Sequence, residues 1–158
     1  MNDNLATYLH DHLAGSHFAV QLLDSLHEQY KDEDLGQLAL ELSAEIKQDQ
    51  STLEQIIEHV GKTHFDLTEA VGRLLEKVSQ LKLGRGDSDR GIGTFEALET
   101  LSLGIRGKLA LWRALPLIRE VDQRVPPKDY EQLLARAHDQ YTRVEERRLQ
   151  LVHETFQR

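Results

Sequence analysis

Leu5, Leu9, Leu13, Val20 and Leu23 recur at the spacing of one buried helix face, and the polar run Lys31-Asp32-Glu33-Asp34 closes the pattern. A helix is therefore predicted from about 2 to 30. Leu35, Leu38, Leu42, Leu53 and Ile56 predict a second from about 34 to 60, with Gly61 just past its end. Asp66-Leu67-Thr68-Glu69 has the form of an N-cap with a glutamate three residues on, predicting a shorter helix over about 66–80. The following LGRGDSDRGIG, 83–93, reads as a flexible link. Thr94 is placed as the cap of a long helix over 94–121, and Pro126-Pro127 separates it from a last helix over 127–156. Pro116, inside the apolar run of the 94–121 segment, predicts a kink or a break. No segment reads as a strand.

Four segments of this length would each be roughly 40 Å long at 1.5 Å per residue. Their joints are short, long, short. A short joint makes neighbours antiparallel, whereas a link of some thirty residues carries the chain back along the bundle and leaves the second and third long helices parallel. The expectation is an all-α fold: a ferritin-like four-helix bundle with one long crossover, carrying a short helix, between helices two and three. One domain, 1–158, suffices for a chain of 158 residues.

Composition narrows the classes of function. Apolar positions are mostly Leu and Ala, which favours helix. The formal charge of −8 opposes non-specific attraction to nucleic acid or to an anionic membrane, so neither is expected as a partner. The absence of cysteine removes disulfides, thiolate catalysis and iron–sulfur clusters. MNDNLATYLHDH lacks the basic and apolar regions of a leader and no long apolar run follows, so a soluble cytoplasmic protein is expected.

The stretches YLHDHLAG (8–15), AEIKQDQ (44–50), RLLEKVSQLKLG (73–84) and FEALETLSLGIRGKLALWRAL (95–115) resemble a family of uncharacterised bacterial ferritin-like helical proteins. The resemblance extends over most of the chain. It implies the bundle fold and a single domain, and it carries no established activity; fold alone lends none.

Di-iron bundles draw a Glu from each of two helices and a Glu-x-x-His pair from each of the other two. No Glu-x-x-His occurs here, and no two histidines stand three or four apart, which also removes His-Glu-x-x-His zinc chemistry. Asp24-x-x-His27 is the one acid–histidine pair at helical spacing, and it reads as a hydrogen bond at the end of the bundle. Projection at about 100° per residue places Asp49 at the centre of an apolar arc with Glu45 on its flank. It turns His12, Ser16 and His27 inward on the first helix, and Lys108 among Leu98, Leu101, Ile105, Trp112 and Leu115. On the last helix it turns His138, Tyr141, Glu145 and Arg148 inward among Leu134, Leu149, Val152 and Phe156. Asp49 and Lys108 lie equally far from their own hairpin turns. A mid-bundle polar cluster of His12, Glu45, Asp49, Lys108, Tyr141 and Glu145 is therefore expected at the height where ferritin-like proteins hold metal.

A fixed ammonium in that layer would repel a metal, and buried acid and base satisfy each other through charge-assisted hydrogen bonds. The preferred reading is a structural or binding protein with no catalytic residues and no cofactor. One alternative is a single iron or manganese ion on His12, Glu45, Asp49 and Glu145, serving an oxidase or a stress-protective store. Another is a bundle that binds a small apolar ligand.

The remaining motifs are weak. The glycine-rich loop follows no strand and lacks the Gly-Lys-Ser/Thr of a phosphate cradle, and Asp87 and Asp89 lack the rest of a calcium loop. Arg136, Arg143, Arg147 and Arg148 alternate with Glu131, Asp139, Glu145 and Glu146, the pattern of solvated ion pairs. Leu103, Ala110, Leu111, Ala114 and Ile118 form a second apolar face on helix three, with Gly104 and Gly107 permitting close approach. That face needs a cover, either the 66–82 crossover, with Leu67, Val71, Leu74 and Val78, or a second subunit; a homo-oligomer, with a dimer favoured, is expected.

Overall fold

The computed structural model describes residues 3–61 and 90–158, together with Gly72 and Glu76. Every regular element among them is helical: α1 (Asn4–Gln29), α2 (Asp34–Val60), α3 (Arg90–Val121), α4 (Tyr130–Gln150) and the short α5 (Val152–Phe156). The expected crossover helix and most of the glycine-rich link lie outside the described residues; Gly72 and Glu76 have helical backbone and are exposed.

Local chemistry sets the ends. The Asp3 carboxylate accepts the Ala6 amide at 3.2 Å and starts α1, and Tyr30 closes it by donating its N–H to Leu26. The turn into α2 folds so tightly that a Cβ on Gly36 would sit 1.9 Å from the Tyr30 carbonyl oxygen. Asp129 caps α4 by accepting the Gln132 amide at 3.1 Å, so this helix begins three residues later than Pro127 suggests. Gly61, at φ 104, closes α2 in a conformation that favours glycine.

Three expectations change. Thr94 lies inside α3 and does not cap it: it is buried, and its hydroxyl shares a 2.5 Å hydrogen bond with the Tyr30 hydroxyl. The same helix continues through Pro116, so the break, one of the two outcomes expected there, does not occur. Pro116 has no N–H to offer the Trp112 carbonyl, and Trp112 and Leu115 on its N-terminal side are buried in the core. The last segment is interrupted at Leu151, whose N–H bonds back to Arg148 and Leu149 before α5 begins.

The core falls into two apolar halves. Leu9, Leu53, Ile56, Trp112, Leu115 and Ala137 belong to one; Leu23, Leu42, Leu98, Leu101, Ile105 and Val144 belong to the other. Each fully buried Leu contributes roughly 1.5–3 kcal/mol. The first half draws on the beginnings of α1 and α4 and the ends of α2 and α3. It follows that α2 and α3 run in the same direction, as the long connection requires, while each hairpin is antiparallel. Between the halves lies Asp49, 2% exposed, and around it a layer of polar side chains.

Candidate ligand cavity and charge layer

Asp49 stands on the buried face of α2, one turn from Ile46 and Leu53. Its two carboxylate oxygens are taken by cations from different helices. Lys108 of α3 donates to Oδ2 at 2.6 Å, and Arg136 of α4 donates to Oδ1. Gln140, fully buried on α4, uses both ends of its amide. Its Oε1 accepts from Lys108, and its Nε2 donates to Glu45 at 3.1 Å and to Asp49 at 3.3 Å. Arg143, a further turn along, donates to Glu45 at 2.6 Å and pairs with Asp139 at 2.9 Å. Three arginine and lysine cations thus face Asp49 and Glu45, with the largely exposed Asp139 pairing Arg143 from the solvent side. Burial pushes the Lys108 ammonium below the ordinary lysine range, and the Asp49 carboxylate opposes that push.

The six residues expected as one cluster separate into groups. Asp49, Lys108 and Glu45 belong to the network just described. Glu145 instead accepts from Ser102 at 2.6 Å and from Arg148 at 2.9 and 2.8 Å, and the Arg148 hydrogen bond, first, with Ser102 assisting, holds its carboxyl below the usual glutamate value. Tyr141 accepts from Arg106 at 3.0 Å and lies 4.9 Å beneath its guanidinium. His12 rests edge-on against Tyr8, ring centres 4.7 Å apart, on the wall of a cavity. The expected Asp24–His27 hydrogen bond does not form. Both side chains turn to α2, Asp24 accepting from Ser43 at 2.8 Å and His27 meeting the Gly36 carbonyl at 2.9 Å through Nδ1.

The projection of α4 is rotated by one residue. Leu133, Ala137, Gln140 and Val144 face inward, whereas His138 is exposed and Leu149 and Phe156 are more than half exposed. Two stripes compete on this polar helix, and the one chosen brings Arg136, Gln140 and Arg143 against the acids of α2. These three residues were missed as site members. Their spacing of four and three on one helix face was the available signal, and reading the arginines as solvated ion pairs concealed it.

Alongside the layer, between α1 and α3, lies a cavity of about 440 Å³ floored by α2. Ile46, Leu53, Leu111 and Trp112 give it apolar walls, and Lys108 and Asp49 border it. Gly15, Gly104 and Gly107 also line it, and a Cβ added at any of the three meets nothing within 4 Å. The glycines therefore hold the groove open; among the described residues they serve no close backbone approach. Leu111, expected on the uncovered face, is 1% exposed and packs with the core. Burial lowers the pKa of His12, against the pull of Asp11, and raises that of the Tyr8 hydroxyl. Neither side chain has a hydrogen-bond partner among the described residues, nor does the indole Nε1 of Trp112.

No group of three or more His, Asp and Glu is placed to hold a metal ion among the described residues. No described helix is long and apolar enough to cross a membrane. No family model, curated protein or solved structure matches the chain.

Proposed function

We propose that the protein is a binding module with ferritin-like topology that takes a small, largely apolar molecule into the groove between α1 and α3. The cavity of about 440 Å³ carries this reading: mostly apolar walls, three glycines that keep it open, and Tyr8 and His12 as polar groups without partners among the described residues. Its volume falls in the usual range for small-molecule sites, roughly 300–1,000 Å³. A flat aromatic ring or a short acyl chain fits the walls, with one neutral polar end toward His12 and Tyr8.

Iron or manganese does not suit the donor set. The carboxylates of Asp49, Glu45 and Glu145 already accept from Lys108, Arg136, Arg143 and Arg148, and His12, on the wall of the cavity that Asp49 borders, completes no group of three metal donors among the described residues. A divalent ion would have to displace several cations from carboxylates in a partly buried layer, leaving them without counter-charges there. No catalytic residues are assigned.

The test is a titration with medium-chain fatty acids and bicyclic aromatics, read on the Trp112 indole and the Gly104 and Gly107 amide resonances. At least one class should shift all three, and Gly104→Leu, which fills open space, should abolish the shifts while the helical signal persists. Silence of all three resonances across both classes would overturn the reading.

A further inference from the structure

Independently of what the cavity holds, the geometry points to α3 as a self-pairing helix: we propose that two copies of this chain associate antiparallel along its outer face. Leu103, Gly107, Ala110, Ala114, Leu117 and Val121 follow one another at spacings of four, three, four, three and four, the repeat of a coiled-coil seam. Within one copy Leu103, Ala110, Leu117 and Val121 are exposed, whereas Ala114 is half-buried and Gly107 is half-buried at the rim of the cavity. Leu103 is 65% exposed, Leu117 64% and Val121 87%, although burying such side chains is favourable.

The stripe is symmetric about position 112. In an antiparallel pair centred there, Leu103 meets Val121 of the second copy, Gly107 meets Leu117, and Ala110 meets Ala114. Large side chains thus meet at the two ends and small ones at the middle, where two helix backbones must come close. A two-fold interface requires this kind of self-complementarity.

Charge selects the same arrangement. Glu99, Arg106, Arg113 and Glu120 recur every seven residues along one edge of the seam, and the opposite edge, Gly104, Leu111 and Ile118, is uncharged. Antiparallel helices bring like edges together, which sets Arg106 against Glu120 of the second copy, twice. Parallel helices would set the charged edge against the uncharged one and leave those charges without partners. Glu120 is exposed and makes no ion pair among the described residues, so it is available. Arg113 meets its own copy near the axis, the one unfavourable contact.

The seam is a single pair of helices about 27 Å long at 1.5 Å per residue, one residue row wide with small side chains at its middle, so weak association with dissociation constants on the order of 1–100 µM is expected. Sedimentation velocity from about 1 µM to about 1 mM brackets that range. Ala110→Arg, on the exposed face, should give monomer throughout with unchanged circular dichroism. Arg106→Glu and Glu120→Arg should each weaken the dimer on the order of tenfold, and the two together should restore it. Arg113→Gln should tighten it. The chain has no cysteine, so mixing Ala110→Cys with Ala114→Cys protein under mild oxidation should yield the mixed cross-linked pair in preference to either like pair. A monomer at the highest concentration overturns the proposal. So does a dimer indifferent to Ala110→Arg, or cross-linking that favours the Ala110→Cys like pair.

Discussion

Asp49 has almost no contact with water and is held by two cations and one amide, so the energetics of the layer are decided by what remains when one partner leaves. Lys108→Met should cost about 2–3 kcal/mol, below the usual 3–5 for breaking a buried pair because Arg136 stays on the carboxylate. In an Asp49→Asn background the same substitution should cost under about 1 kcal/mol, and urea unfolding of the four proteins gives the coupling directly. Additive losses would show that the ammonium and the carboxylate do not depend on each other. His12 supplies a separate signal. Its folded pKa is depressed by burial, so the unfolded chain binds the proton more readily. The contribution is fully present above the unfolded value near 6.5 and is lost as pH falls through the lower folded value. Denaturation measured at a series of pH values should show this loss in the wild type and a flatter profile in His12→Gln.

At the scale of the helix, glycine positions separate what packing demands from what it leaves free. Gly36 is compelled by the Tyr30 carbonyl 1.9 Å from its virtual Cβ, so Gly36→Ala should destabilise the α1–α2 hairpin. Gly15 and Gly104 have room for a methyl group and lie inside helices, where glycine costs roughly 0.5–1 kcal/mol relative to alanine. Gly15→Ala and Gly104→Ala should therefore each raise stability by about that amount in thermal unfolding, while narrowing the cavity. The apolar repeats of α1 and α2 made these helices legible from sequence, because each has one dominant buried stripe. Helix α4 was not legible to the same degree. Its few apolar residues fit two azimuths one residue apart, and only contact with Asp49 and Glu45 decides between them, information that resides in α2. Lys108 was identifiable as the partner of Asp49 from its place in an apolar row, whereas the spacing of Arg136, Gln140 and Arg143 on one face gave only a signal that the sequence could not separate from solvated ion pairs.

For the molecule as a whole, the charge layer divides one elongated core into two apolar halves and ties α2, α3 and α4 together at a single height. Leucine-rich faces alone tolerate a slip of one helix along another, because one Leu replaces the next at nearly equal energy. A carboxylate that must meet an ammonium on α3 and a guanidinium on α4 does not tolerate it. The layer is thus expected to fix register at some expense in stability, since well-packed apolar residues often equal or exceed a buried ion network by 1–4 kcal/mol. Replacing the network in one step, by Asp49→Leu, Lys108→Met, Arg136→Leu and Gln140→Leu, removes every buried group that would otherwise be stranded and leaves Glu45 with Arg143. The quadruple variant should melt at a temperature equal to or above that of the wild type. Its amide spectrum should be broader and less dispersed, as expected of helices sampling more than one register. A variant that melted lower yet kept a sharp spectrum would assign the layer to stability instead, and the two apolar halves would then suffice to set the alignment of the bundle.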